Sequence, residues 1–228
     1  TYALALHFNL LSEEKQEQAF ANLIECIEEY DYRISTGFVT TIMMMKELTK
    51  RGRNDIAYTL LESERFPSWI YSINQGATSI WERWDGYVKG RGFQNAGMNS
   101  FNHYSIGAVG EWMYRVILGI NPSEKHPGFK HFVIHPQPGG TLTWAKGTYN
   151  SINGLIASDW KMEKDLFTLH IEIPVNTTAT VMLPTKDVAM VKMNTKAIPL
   201  SLISDEPIKE KIALELGSGK YHFIVQQK

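Results

Sequence analysis

The stretch HPGFKHFVIHPQPGG, His126 to Gly140, is where the chain changes texture. From within it onward, Phe132, Ile134, Leu142, Trp144, Ile156 and Trp160 fall in short runs separated by turn formers such as Pro-Gln-Pro-Gly-Gly at 136–140 and Asn153-Gly154. That is the pattern of antiparallel strands joined by tight turns. Residues 166–174, LFTLHIEIP, put Phe167, Leu169, Ile171 and Ile173 on one parity and Leu166, Thr168, His170 and Glu172 on the other. A strand with one buried face is expected there. Thr178–Leu183, Val188–Met193 and Tyr221–Gln226 predict further strands, so the second half reads as a β-sandwich of jelly-roll type. Trp144 and Trp160 are expected to pack inward at the sheet core.

Upstream of that stretch the period changes from two to about 3.6. Thr1–Leu11 is an apolar helical segment; Ser12 with Glu13 and Glu14 forms the start of a second helix, since acids in a first turn meet the positive end of the helix dipole. Within it Phe20, Leu23, Ile24 and Ile27 recur at steps of three and four, with Glu13, Glu17, Glu25 and Glu28 on the remaining surface. Cys26 is expected as a small core residue in this stripe. Residues 37–50 predict a third helix that Gly52 stops, its run Met43-Met44-Met45 reading as packing filler. A fourth begins near Asn54, and a last one is expected from Asn102 to Leu118. Helices first and strands second define an α+β, two-domain chain. The domains expected are 1–125 and 126–228, and the helices, joined in pairs by short loops, fit a bundle, a solenoid or a closed toroid.

Composition excludes several functions. The 228 residues are 43% hydrophobic and 21% charged with a formal net charge of −1, so there is no basic field to gather nucleic acid and no reason to expect disorder. The opening TYALALHFNLL is too short an apolar run to span a bilayer, and no membrane partner is expected. It opens inside a helix without a polar arm, which leads us to expect a preceding region. With one cysteine there is no intrachain disulfide, and His126, His131 and His135 lack ligand spacing, so neither a metal nor another cofactor is expected.

Chemistry concentrates in residues 67–115, where Trp69, Tyr71, Trp81, Trp84 and Tyr87 are interleaved with Glu82, Arg83, Asp85 and His103. Flat aromatic faces cover the C–H faces of a pyranose, and carboxylates and amides take its hydroxyls. Glu82 stands between two tryptophans and beside Arg83. From local physics it is either a desolvated carboxylate tuned for proton transfer or a surface carboxylate paired to an arginine. Asp85 before Gly86 reads as a turn residue. His103, among Asn99, Asn102 and Tyr104, is equally suited to a structural or a ligand-binding role.

The runs ALAL (3–6), STGF (35–38), PSW (67–69), NQGATSIWERWDG (74–86), SFNHY (100–104), GAVGEW (107–112), HPQPGG (135–140) and TTATV (177–181) occur in one order along nearly the whole chain. In these the chain resembles the bacterial α-L-rhamnosidases, a family of inverting glycoside hydrolases. The resemblance implies the later helices of an (α/α)6 toroid followed by a C-terminal β-sandwich. It also implies that Glu82 is the general base, that His103 contacts rhamnose, and that Trp81 and Trp84 wall the pocket. The general acid of such enzymes lies in an earlier part of the toroid and has no counterpart here. The expected activity is therefore removal of terminal α-L-rhamnosyl residues from glycans or glycosides, with an upstream part of the same polypeptide completing the toroid and the isolated chain inactive. Two other readings stay open: a non-catalytic carbohydrate-binding chain, and a toroid glycosidase of different sugar preference.

Overall fold

The structure is a computed structural model that describes residues 1–97, 99–204 and 211–227. The chain forms two compact units, Thr1–Trp112 with Gly139–Thr141, and Met113–Pro138 with Leu142–Lys228. The change of unit falls upstream of the change in sequence texture.

In the first unit α1 (Tyr2–His7), α2 (Glu13–Glu29), α3 (Thr41–Lys50), α4 (Asn54–Glu62) and α5 (Trp69–Asn74) follow one another through short loops, and a short antiparallel pair, β1 (Tyr87–Val88) with β2 (Gly92–Phe93), comes after them. Helix α3 is central and packs against α1, α4 and the later α6 (Val109–Trp112). Its Met44, Met45 and Leu48 are buried, so the methionine run does fill the gap between helices. Arg51 caps α3 and Gly52 follows at φ +77, the left-handed stop that glycine takes without strain. In α2 the buried positions are Ala19, Leu23 and Ile27, four residues apart. Cys26 is exposed, contrary to expectation, because that narrow stripe leaves it on the wet side of the helix.

One feature of α3 is invisible in the hydrophobic pattern. Glu47 is buried, yet it is paired with Arg51 one turn on, and His7 Nδ1 lies 3.3 Å from its carboxylate. Arg51 also donates to Gln16 Oε1 at 3.0 Å, so α1, α2 and α3 meet at a charged and hydrogen-bonded cluster. A buried carboxylate is tolerated only when paired in this way.

The helix expected over 102–118 is broken. A 3-10 turn (Tyr104–Ala108), the single α-turn α6 and a π-turn (Met113–Ile117) replace it. Buried Ile106, Val109, Trp112 and Val116 still lie at three- and four-residue steps, which explains why the sequence reads as one helix.

Among the described residues the second unit contains two sheets. One is six-stranded, in the order β10 (Lys196–Ala197), β9 (Val191–Met193), β12 (Gly219–Gln226), β7 (Leu166–Ile173), β6 (Gly154–Glu163), β5 (Trp144–Ser151). The other runs β11 (Ile212–Leu216), β8 (Thr178–Leu183), β4 (His131–Ile134), β3 (Ile120–Pro122). All these pairings are antiparallel except β4 with β8, which is parallel. Val188–Met190 forms a 3-10 turn ahead of β9 where a continuous strand was expected. The alternation read in β7 is realised, with Phe167, Leu169, Ile171 and Ile173 buried together with Phe132, Ile134, Trp160, Val181, Leu214 and Phe223. The polar atoms of this core are satisfied: Trp160 Nε1 donates to Ile117 O at 2.7 Å and Ser158 Oγ to Leu118 O at 2.7 Å. Trp144 is not part of it. Trp144 pairs with Lys161 and Trp160 with Ala145, so the two indoles project from opposite faces of the sheet, and Trp144 is 61% exposed.

His135, just after β4, has its Nε2 2.6 Å from Lys211 Nζ, which fits a neutral imidazole accepting from an ammonium. Burial, with the charge of Lys211 adding to it, pushes His135 down to about 4 from the ordinary 6.5, and burial also lowers Lys211. As pH falls below 6.5 the unfolded chain takes up a proton that the folded unit refuses until about pH 4. Stability of the second unit should therefore decline through this window, by roughly 3 kcal/mol at most from this group, and level off below it. Urea midpoints at intervals between pH 7 and 4 test this, and His135→Gln should remove that part of the decline; an unchanged pH dependence in the variant would exclude His135 as its source.

Candidate active site

The aromatic loop region lies within the first unit and is organised by two segments that run side by side. Glu82 N donates to Ser100 O at 2.8 Å, and His103 N donates to Ile80 O at 2.9 Å. Ser79 Oγ adds a bond to Phe101 O at 2.5 Å. Residues 79–82 and 100–103 are thereby held in fixed register, and Glu82 and His103, far apart in sequence, stand on adjoining segments. The Glu82 side chain completes the pairing, for its Oε2 accepts from Ser100 N–H at 2.9 Å. A carboxylate fixed by one backbone donor keeps further lone pairs for a second partner.

Arg83 does not serve Glu82. Its Nε and Nη2 donate to the two oxygens of Asp85 at 3.0 and 3.1 Å, a forked pair that occupies the guanidinium. Asp85 is thus held by a side chain, where a turn residue accepting from backbone N–H groups was expected. Gly86 closes the turn through Gly86 N to Arg83 O at 3.2 Å. A Cβ at Gly86 would lie 2.7 Å from Asn99 Oδ1 and 3.3 Å from the rings of Trp81 and Phe101. Asn99 Nδ2 donates to Gly86 O at 2.8 Å, so Gly86 ties the two ends of the loop together.

Trp81 and Trp84 both line a cavity of about 310 Å³ with Trp69, Ile73, Ile80 and Ile106. Trp69 meets Trp84 edge to face at 5.3 Å and donates through Nε1 to Ile106 O at 3.1 Å. Trp81 is buried and meets Phe101 edge to face, also at 5.3 Å. Such edge contacts hold rings in place, so the walls are rigid. Glu82 and His103 are not lining residues of this cavity; they occupy the paired segments beside it. His103 is half-buried between Phe38, 5.0 Å away, and Tyr104, stacked at 6.0 Å. Trp84 Nε1, Asn99 Oδ1 and His103 Nδ1 are enclosed and have no partner among the described residues.

The sequence reading assigned no role to Ser100, which orients the Glu82 carboxylate. It also assigned none to Phe38, although STGF was among the runs that carry the resemblance. Ser100 was legible only as a member of SFNHY, because a backbone donor leaves no signature in the residue type.

This site belongs to a fold unit that matches the bacterial alpha-L-rhamnosidase 6 hairpin glycosidase domain over residues 1–117, and residues 119–197 match the bacterial alpha-L-rhamnosidase C-terminal domain. The chain belongs to the bacterial α-L-rhamnosidase family. It is 44% identical over 227 residues to an α-L-rhamnosidase of Formosa agariphila, covering 98% of this chain and 24% of that protein. The crystal structure of Streptomyces avermitilis α-L-rhamnosidase complexed with L-rhamnose superposes with a TM-score of 0.89 at 38% identity, covering 99% of this chain and 21% of that one. The α-L-rhamnosidase of Dictyoglumus thermophilum gives a TM-score of 0.86 at 32% identity, over 99% of this chain and 25% of its own. The chain thus spans about a quarter of the length of the relatives it matches.

Proposed function

We propose that this chain is the C-terminal part of a glycoside hydrolase that removes terminal α-L-rhamnosyl residues with inversion, and that Glu82 is its general base. The observation that carries the reading is the reciprocal bonding of Glu82 and Ser100. It fixes a carboxylate on the segment paired with the one that carries His103, between Trp81 and Arg83, which both line the tryptophan-walled cavity. In the proposed reaction a water molecule attacks the anomeric carbon from the face opposite the leaving group. Glu82 takes the proton of that water, the glycosidic C–O bond breaks, and a protonated carboxyl group delivers a proton to the departing oxygen. The two carboxyl groups of such a site stand about 6.5–9.5 Å apart, leaving room for the water. The second one comes from the upstream part of the polypeptide, which also completes the toroid whose later helices are α1–α6.

His103 donates to or accepts from a rhamnose hydroxyl. Trp81 and Trp84 wall the sugar pocket, supplying apolar surface for the C–H faces and the methyl group of a deoxy sugar. The substrates are rhamnose-containing glycans or glycosides. The reading is tested by giving the full-length protein an aryl α-L-rhamnoside and following the first sugar released by proton NMR. β-L-rhamnose appearing first and then mutarotating is the expected result. α-L-rhamnose appearing first would overturn inversion, and a preference for an aryl glucoside would overturn the substrate. The isolated 228-residue chain should give no appreciable turnover.

A further inference from the structure

The outer face of the six-stranded sheet carries a groove of about 310 Å³, wholly within the second unit and separate from the site around Glu82. Cross-strand register aligns a polar row across it: Lys146 on β5 faces Asp159 on β6, Asp159 faces His170 on β7, and His170 faces His222 on β12. The two imidazoles stack, 4.0 Å between centroids and 7° between planes. Asn194 borders the row, its Oδ1 accepting from His222 N–H at 2.9 Å. Lys146 pairs with Asp159 at 3.1 Å, and in the next row Lys220 pairs with Glu172 at 3.2 Å. In the row on the other side, Trp144 projects from the same face as Lys146, two residues along β5, and is 61% exposed.

We propose that this face is a non-catalytic binding groove for a neutral saccharide, stacked on Trp144 and hydrogen-bonded by Asp159, His170, His222 and Asn194.

The charge balance selects the ligand class. Two lysines offset two carboxylates, so the groove presents no net field for a phosphate or a cation, while it offers donors and acceptors in alternation. Burial and the neighbouring His170 lower His222, which keeps that imidazole neutral and able both to donate and to accept. A polyol satisfies such a row, and its C–H face suits an exposed indole. The volume is at the lower limit of small-molecule sites, enough for one or two sugar units and not for a longer chain.

The test is a titration of the 228-residue chain with methyl α-L-rhamnoside, a rhamnosyl-glucose disaccharide, glucuronate and inorganic phosphate, followed by NMR of the indole N–H and imidazole resonances. A neutral saccharide should shift Trp144, His170 and His222. Trp144→Ala and His170→Ala should each weaken binding about ten-fold. The proposal is overturned if these resonances stay in place, if both variants bind as the parent does, or if phosphate or glucuronate binds the groove more tightly than the neutral sugars. Shifts confined to Trp81, Trp84 and His103 would overturn it while leaving the hydrolytic reading intact.

Discussion

Gly119→Ala should abolish stable folding of the second unit, at a cost of roughly 4 kcal/mol or more. Gly119 stands at φ +76, and its carbonyl accepts from His135 N–H at 2.8 Å. A Cβ there would lie 2.1 Å from both the carbonyl carbon of His135 and Pro136 N. Those are backbone atoms of the segment that follows β4, so no rotamer change relieves the overlap. Asn121 Nδ2 also donates to Gly119 O at 3.0 Å, which pins the same turn. Gly52 is the internal control, because it has nearly the same angle, φ +77, and nothing within 4 Å of an added Cβ. Gly52→Ala should therefore cost only the left-handed strain, about 1–2 kcal/mol. Urea unfolding of the two variants, read by near-ultraviolet circular dichroism, separates steric from conformational cost. Equal destabilisation by the two would refute the steric account.

What the sequence disclosed depended on whether one face alone met the core. Strand β7 was legible because its two faces differ in solvation, and α2 because Leu23 and Ile27 repeat at the helical period. Trp144 and Trp160 were not separable, since both lie in strands and only the register between β5 and β6 shows that they project from opposite faces. The segment 104–117 looked like one helix because its buried residues keep helical spacing through a 3-10 turn, an α-turn and a π-turn alike. Glu47 was invisible because the hydrophobic period carries no sign of a buried carboxylate, which is held here by Arg51 at the cap of its own helix and by His7 on α1. The parallel pairing of β4 with β8 also had no local sign, since it joins segments far apart in sequence.

In the candidate site, composition singled out residues 67–115, and tryptophans flanking a carboxylate pointed to sugar chemistry, but roles for single residues came only with the family resemblance. The loop carries no strand alternation, so the pairing of 79–82 with 100–103 could not be read from it. That pairing is what stations Glu82 and His103 on neighbouring segments. Arg83 illustrates the same limit: two carboxylates flank it in sequence, and the fold gives it to Asp85.

Glu82→Gln in the full-length protein should lower kcat on an aryl α-L-rhamnoside by about 10³-fold or more, the scale of losing a positioned base. Glutamine retains an oxygen that can accept from Ser100 N–H, so the 79–82 and 100–103 segments should remain paired and KM should change little. What it cannot do is take a proton from the attacking water. The measurement is kcat and KM for parent and variant, with circular dichroism spectra compared. Loss of kcat with an unchanged spectrum is the predicted result; near-normal turnover by a folded Glu82→Gln enzyme would contradict the account and leave the carboxylate as no more than a bond between two loop segments.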